Sequence, residues 1–420
     1  MLTADTPEEL SDYHEKFKSE ADSLEFTFKT YSFGQKKGLG SILPFTQDCI
    51  NHKHTLQSSS LVNILPFLSR NLSDPEGVFL GMNYYNGSLV VSDLFKSLNA
   101  NMGIYGVSGV GKTFLAKLLA IRLVLRQTQC IFIDPEGEYS DFTTKLGGEV
   151  VPFDLENGFN PFYIGEKPAR VEINEHIQTL THLFDYFIAE ENKSSIIDEI
   201  LVELYNNDKS PCFEDFIKLV KSKKAPFSDD LKKLSKTGSL GGLFSSDRKL
   251  KLLGNVICFD ISKLKTENIK TPAMYLLSSI IWSQVNKKDK RRMIFIDEAH
   301  KLLRNKYSRD FYIDIVRTAR KRNCGIVSIT QNLEDFDDKD KQAILSNTLT
   351  TFLLKQKSNS ARYIKQTGIF ELTEEEKHSI TSLNQGEIIL LKDKEHIRLN
   401  TAALPSELEI IKETENFGSV

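Results

Sequence analysis

The stretch GVSGVGKTF, residues 106–114, decides the fold. It matches G-x-x-x-x-G-K-[ST] in full. It follows the apolar run NMGIYGV and opens TFLAKLLAIRLVLRQ, whose apolar residues recur at helical spacing. Strand, glycine loop and helix, in that order, are the context the motif needs. Gly106, Gly109 and Gly111 let the backbone fold into a nest whose N–H groups point at a β-phosphate. The helix N-terminus adds partial positive charge. Lys112 is placed to reach the β- and γ-phosphates, and the Thr113 hydroxyl to bind Mg²⁺. Ser108, Val110 and Phe114 complete the set expected to touch the nucleotide. The expected ligands are therefore ATP and Mg²⁺.

Outward from this loop, short apolar runs alternate with helices. CIFIDPEGEY and EVVPFD come next, and later NVICFDIS, RMIFIDEA, CGIVSITQ, TFLLKQ and GEIILLKD. Continuous β-rich runs separated by helices predict an α/β fold with a mostly parallel sheet buried on both faces. Upstream, GVFLGMNYYNGSLVVSDLF (77–95) reads as two strands around Asn86-Gly87, a strong hairpin signal. Residues 170–235 break the rhythm, with apolar residues at helical spacing and no strand signal. They predict an inserted all-helical domain, removable without loss of the sheet. TPEELSDYHEKFKSEADSLEF predicts a helix capped by Thr6 or Asp5 with Pro7 in its first turn, and YSFGQKKGLGSILPF reads as a glycine-punctuated connector. The expected divisions are 1–50, a tail and connector; 51–165, the first part of the nucleotide-binding domain; 166–250, the helical insertion; and 251–420, its second part.

MIFIDEA is an apolar strand ending in two acids. Beside a phosphate loop, Asp297 would hold Mg²⁺ and Glu298 would polarise the attacking water. Both sit at the rim where ligands of parallel sheets bind. Capping of the next helix is the competing role for one of them. A βαβ unit fills only about 30 residues, so the long gap from Lys112 to Asp297 needs the helical insertion. The letters D-E-A-H at 297–300 also mark a family of RNA helicases. Neither the S-A-T-type segment nor the Q-x-x-G-R-x-G-R segment of those enzymes follows, and the remaining chain is too short for a second helicase core. His300 is expected merely to start a helix.

Composition is that of an ordinary globular protein: 40% hydrophobic and 26% charged, with net charge −3 over 420 residues. That balance argues against whole-surface binding to DNA and leaves a local basic rim open. The five cysteines are scattered without a C-x-x-C pair, so no zinc site or disulfide framework is expected, and a reducing cytoplasm fits. No apolar run reaches the ~18 residues of a membrane span.

Four segments now stand in order: GVSGVGKT, FIDPEGEYSDF, FIDEAHKLL and RTARKRNCGIVSITQN. Together they resemble the large ATPase of conjugative and type IV secretion machines. This is the VirB-four family, also called TraC-like or TraE-like, a branch of the HerA/FtsK group of hexameric motors. FNPF (159–162), FDIS (259–262), SNTLTTFLLKQ (346–356) and NQGEIILL (384–391) add to the likeness, which covers about residues 25–405. D-P-E-G-E-Y and A-R-K-R-N with its following T-Q are the specific pieces; the phosphate loop alone is generic. The resemblance implies a RecA-like P-loop domain with an all-helical domain inserted, and a large N-terminal domain of which only the tail is expected here. It implies a hexameric ring, partners among secretion-channel and coupling-protein components, and peripheral contact with the cytoplasmic membrane.

The resemblance also assigns roles. The arginine matching Arg320 enters the neighbouring subunit's site in related motors, where a guanidinium neutralises charge on the transferring phosphoryl group. Arg317 and Arg322 compete for that part, and a solvated basic helix end is the plain alternative. Gln331 is expected beside the phosphate loop, sensing the γ-phosphate or holding the water, or as an ordinary polar strand end. Asp134 and Glu138 are expected to matter, toward Mg²⁺, a basic neighbour or the next subunit; a turn-forming cluster is the alternative. KSKK at 221–224 reads as a solvated helix face, and Trp282 as core. The function expected is an ATPase motor for conjugative transfer or type IV secretion. Its rivals are a double-stranded DNA translocase of the HerA/FtsK kind and a nucleotide-gated module with negligible turnover.

Overall fold

A computed structural model describes residues 4–23, 33–43, 48–50, 71–165, 168–190, 193–207, 211–244, 246–285, 290–331, 333–336 and 339–412. The chain divides into two compact units, Met1–Leu68 and Ser69–Val420. In the first, the helix Pro7–Ser23 begins as its sequence predicts: Thr6 Oγ1 accepts the Glu9 N–H at 3.2 Å. The connector expectation is corrected in part, because Gln35–Ile42 is an α-helix. Gly38 and Gly40 disfavour a helix by about 1 kcal/mol each. Gly40, however, faces Cys49 so closely that an added Cβ would lie 3.0 Å from the sulfur, so packing outweighs propensity there.

The second unit is built on one eleven-stranded sheet. Its strands are β1 Val78–Asn83, β2 Leu89–Ser92, β3 Met102–Tyr105, β4 Gln129–Asp134, β5 Glu149–Pro152 and β6 Val256–Asp260. The remainder are β7 Arg292–Ile296, β8 Cys324–Thr330, β9 Thr350–Leu353, β10 Glu387–Lys392 and β11 Glu395–Asn400. The spatial order is β2-β1-β11-β10-β9-β3-β8-β7-β4-β6-β5. From β9 to β5 every pairing is parallel; from β9 to β2 every pairing is antiparallel. The hairpin at Asn86-Gly87 is present, with Gly87 at φ +67°. β11 had no sequence signal, since EHIRLN carries two apolar residues. It forms because Asp393, at φ +54°, turns the chain back so that Lys392 pairs with Glu395.

The parallel strands are buried on both faces. On β4, Cys130 and Phe132 join one apolar cluster and Ile131 and Ile133 the other. The first cluster takes in Leu115, Leu118 and Leu119 of the helix Lys112–Leu125. The second takes in the helices Glu267–Gln284 and Lys306–Thr318. Trp282 is core, as expected.

Between β5 and β6 the described residues carry helices and no strand: Arg170–Phe187, Lys193–Asn207, Phe213–Ser222, the 3₁₀ turn Asp230–Leu234 and Gly241–Phe244. The apolar residues of this segment join the core of the second unit. Phe184 stacks on Phe216 at 4.6 Å, and both belong to one continuous cluster with Ile131, Phe259 and Ile296 of the sheet. The helix Arg170–Phe187 packs on the helices Glu267–Gln284 and Lys306–Thr318, which themselves cover the sheet, so excision would bare the outer side of those helices to water.

Candidate nucleotide site

Parallel strands place their C-terminal ends along one edge of the sheet, and there the expected residues gather. β3 runs into the phosphate loop between β9 and β8. The loop is pinned from both sides: Gly106 N–H donates to Thr330 O at 3.4 Å and Val107 N–H to Lys355 O at 3.0 Å. Gly109 and Gly111 adopt φ +79° and +101°, conformations natural only to glycine. Gly106 is required for another reason, since an added Cβ would stand 2.9 Å from Leu354 Cβ. Ser108 and Gly109 are exposed, while Val110, Thr113 and Phe114 are half-buried around them. Lys112 is buried, and its ammonium donates to Val107 O at 3.0 Å. Burial depresses its pKa, against the pull of Asp297, Glu298 and Glu138.

Two strands away, β7 ends on Asp297 and Glu298. Asp297 is buried, and burial, then the charge of Glu298, pushes its pKa up to about 7; Glu138 and Asp134 act in the same sense. Glu298 has φ +49°, a left-handed backbone rare outside glycine. Its own N–H donates to Asp297 Oδ1 at 2.8 Å. Neither acid caps the following turn with its side chain; the helix Lys306–Thr318 is capped by Asn305. The Glu298 carboxylate lies between Gln331 Nε2 at 2.8 Å and His300 Nδ1 at 3.0 Å. Burial alone would raise its pKa, but these two partners outweigh it and hold the group at about 2. The expectation that His300 merely starts a helix is thereby corrected. A histidine two residues past an acid, on a tight 3₁₀ turn, can fold back on it, a contact that helical spacing does not reveal. Gln331 stands beside the phosphate loop, because β8 pairs with β3 up to Tyr105–Thr330.

The D-P-E-G-E-Y segment makes the turn after β4. Asp134 accepts the backbone N–H groups of Glu136, Gly137, Glu138 and Tyr139 at 3.2, 2.7, 3.1 and 2.8 Å. Glu136 meets Lys270 and Lys301 at 3.2 and 3.1 Å. Glu138 Oε2 accepts the Thr113 hydroxyl at 2.5 Å.

Arg320 is not brought to this edge. It lies exposed in the 3₁₀ turn Ala319–Arg322, before β8 begins, at the opposite end of that strand from Gln331. Seven strand residues at about 3.3 Å each separate the two ends, so Arg320 cannot reach its own chain's loop. Arg317 is exposed nearby. Arg322 lies over Trp282 at 4.2 Å and pairs with Glu175 at 3.2 Å, a structural engagement.

Sheet order, phosphate loop and acid pair define a RecA-like P-loop NTPase. The chain belongs to the TraG P-loop domain family, whose model matches residues 91–402. Its P-loop domain is similar to those of proteins named VirB4 and TraC. Among curated relatives it is similar to protein TraC of Escherichia coli (strain K12), with 26% identity over 73% of this chain and 38% of that one. It is also similar to type IV secretion system protein virB4 of Bartonella quintana (strain Toulouse), with 23% identity over 98% of this chain and 54% of that one. The chain therefore spans about half or less of either relative. Among solved structures, VirB4 of Thermoanaerobacter pseudethanolicus superposes with a TM-score of 0.71 at 25% identity, covering 81% of this chain and all of that one. The bacterial conjugative coupling protein TrwBdeltaN70 shares the fold, with a TM-score of 0.54 at 13% identity, covering 79% of this chain and 89% of that one. No helix among the described residues is long and apolar enough to cross a membrane.

Proposed function

We propose that this chain hydrolyses ATP with Mg²⁺ and that hydrolysis drives transport in a conjugation or type IV secretion apparatus, as a ring in which Arg320 completes the next subunit's site. The observation that carries the reading is the Glu298 carboxylate, strained in backbone and clasped by Gln331 and His300 beside the phosphate loop. An acid placed to orient water serves hydrolysis and has no part in nucleotide binding alone.

The residues fit Mg²⁺. Among the described residues no group of three or more His, Cys, Asp or Glu is arranged to cage a metal. Mg²⁺ in such enzymes is instead held by a hydroxyl, a carboxylate, waters and substrate phosphates. Thr113 supplies the hydroxyl, and Asp297, crowded by other acids, is a carboxylate that a cation would relieve. When bound, the ion neutralises charge on the β- and γ-phosphates.

The remaining work falls to the chain's own groups. Loop N–H groups and Lys112 hold the triphosphate, the Lys112 ammonium exchanging Val107 O for phosphate oxygens. Glu298 stays ionised and accepts a hydrogen bond from the attacking water, orienting it toward the γ-phosphorus. Gln331 holds Glu298 in the nucleotide-free site, and a γ-phosphate oxygen would offer its amide a second acceptor. The test is inorganic phosphate release from ATP. Wild type should release phosphate with Mg²⁺ and not with EDTA, and Lys112→Ala should release none. Release by Lys112→Ala equal to wild type would refute the site.

A further inference from the structure

We infer that Glu138 is the proton acceptor that orients the Thr113 hydroxyl toward the cation, and so sets the chain's affinity for metal-bound nucleotide. The inference rests on the Mg²⁺-ATP reading above and adds a residue to it.

In a phosphate-loop site the loop hydroxyl binds the cation through an oxygen lone pair. Its proton must then point elsewhere, and whatever accepts it fixes the lone-pair direction. The neighbouring acids are otherwise engaged. Asp297 Oδ1 accepts the Glu298 N–H, and the Glu298 oxygens face Gln331 and His300. Glu138 Oε2 accepts from Thr113 Oγ1 at 2.5 Å, across 25 residues of chain.

The placement is built rather than adventitious. Glu138 is exposed, and a free surface glutamate would sample many rotamers. Its backbone, however, is fixed from both sides. Asp134 takes the N–H groups of residues 136 through 139 on its two carboxylate oxygens. Tyr139, next in the chain, is buried and stacks on Phe132 at 4.7 Å. Glu136 is tied to Lys301, in the turn that follows Glu298. The turn after β4 is thus tied both to the phosphate loop and to the segment after β7. Asp134 aims the turn, and Glu138 acts through Thr113 as a positioning residue.

The experiment measures binding, not turnover. A fluorescent ADP analogue is titrated into wild type and variants at rising Mg²⁺ and in EDTA. Outer contacts of this kind are worth roughly 10–100-fold in metal affinity. Glu138→Ala should need at least ~10-fold more Mg²⁺ for half-maximal enhancement of binding. Its EDTA affinity should be equal to or tighter than wild type, because a negative charge near the phosphates is gone. Glu138→Gln, whose amide oxygen still accepts, should lie closer to wild type than Glu138→Ala does. Thr113→Ala should show the same Mg²⁺ defect, and Glu138→Ala added to Thr113→Ala should cost nothing further. Additive losses, or Glu138→Gln and Glu138→Ala behaving alike, would overturn the inference and leave Glu138 as a mere local charge. If wild type itself binds without regard to Mg²⁺, it is the Mg²⁺ reading that fails instead.

Discussion

His176 lies in the first helix of the helical segment and is 2% exposed. Burial pushes its pKa down from 6.5 to about 4. In the unfolded chain the imidazole takes a proton near pH 6.5; in the folded chain it resists until about pH 4. Its contribution to stability is therefore complete above 6.5 and is lost as pH falls toward 4. Integrating the linkage between these values, the protein should lose roughly 2 kcal/mol by about pH 5 relative to about pH 8, and roughly 3 kcal/mol below pH 4. Other groups titrate in the same window. Asp297, raised to about 7, works in the opposite sense, because its folded form takes up a proton before its unfolded form does. The comparison is therefore with His176→Leu, in which only the imidazole is removed. Urea unfolding can be followed by the fluorescence of Trp282, the chain's one tryptophan. The drop in stability between about pH 8 and about pH 5 should be roughly 2 kcal/mol larger in wild type than in the variant. Equal pH dependence would refute the reasoning and mean that the folded protein protonates His176 freely.

Two further outcomes follow from placement. Arg122 and Glu407 form a buried pair, with the guanidinium also donating to Phe79 O and Ala402 O. Arg122→Ala strands the carboxylate and should cost about 3–5 kcal/mol in urea unfolding, while replacing both partners by apolar residues should recover much of it; a loss under 1 kcal/mol would mean the pair is solvated. Arg320, remote from its own loop, should act across a subunit boundary. Lys112→Ala and Arg320→Ala, each inactive alone, should regain part of the wild-type rate when mixed, and no recovery under demonstrated co-assembly would remove Arg320 from the site.

How much of this was legible in the sequence differs by element. The parallel strands were readable because burial on both faces demands unbroken apolar runs such as CIFID and RMIFI, and the phosphate loop because its glycines have steric causes. The partly polar β11 was not, since its place depends on pairing with β10 rather than on its own pattern. The helix Gln35–Ile42 was hidden by two glycines, of which Gly40 serves close packing against Cys49 while Gly38 faces open space. In the site, residue types at a strand end pointed to Asp297 and Glu298, and the family resemblance pointed to Gln331. The contacts of His300 and Glu138 were not legible, because His300 folds back on an acid two residues away through a tight 3₁₀ turn, and Glu138 is carried by the turn after β4 to a threonine 25 residues away. Asp134 could be suspected but not assigned. Its carboxylate turns out to organise backbone, which distances reveal and composition does not.

The central claim is that Glu298 orients the attacking water while the phosphate loop only binds. Glu298→Gln tests it directly, because an amide keeps the shape but loses the negative charge that draws on the water's proton. Phosphate release and retained nucleotide are measured on the same protein with ATP and Mg²⁺. The account predicts ATP bound at near wild-type affinity and phosphate release reduced by ~10²-fold or more. Hydrolysis by Glu298→Gln at the wild-type rate would contradict it.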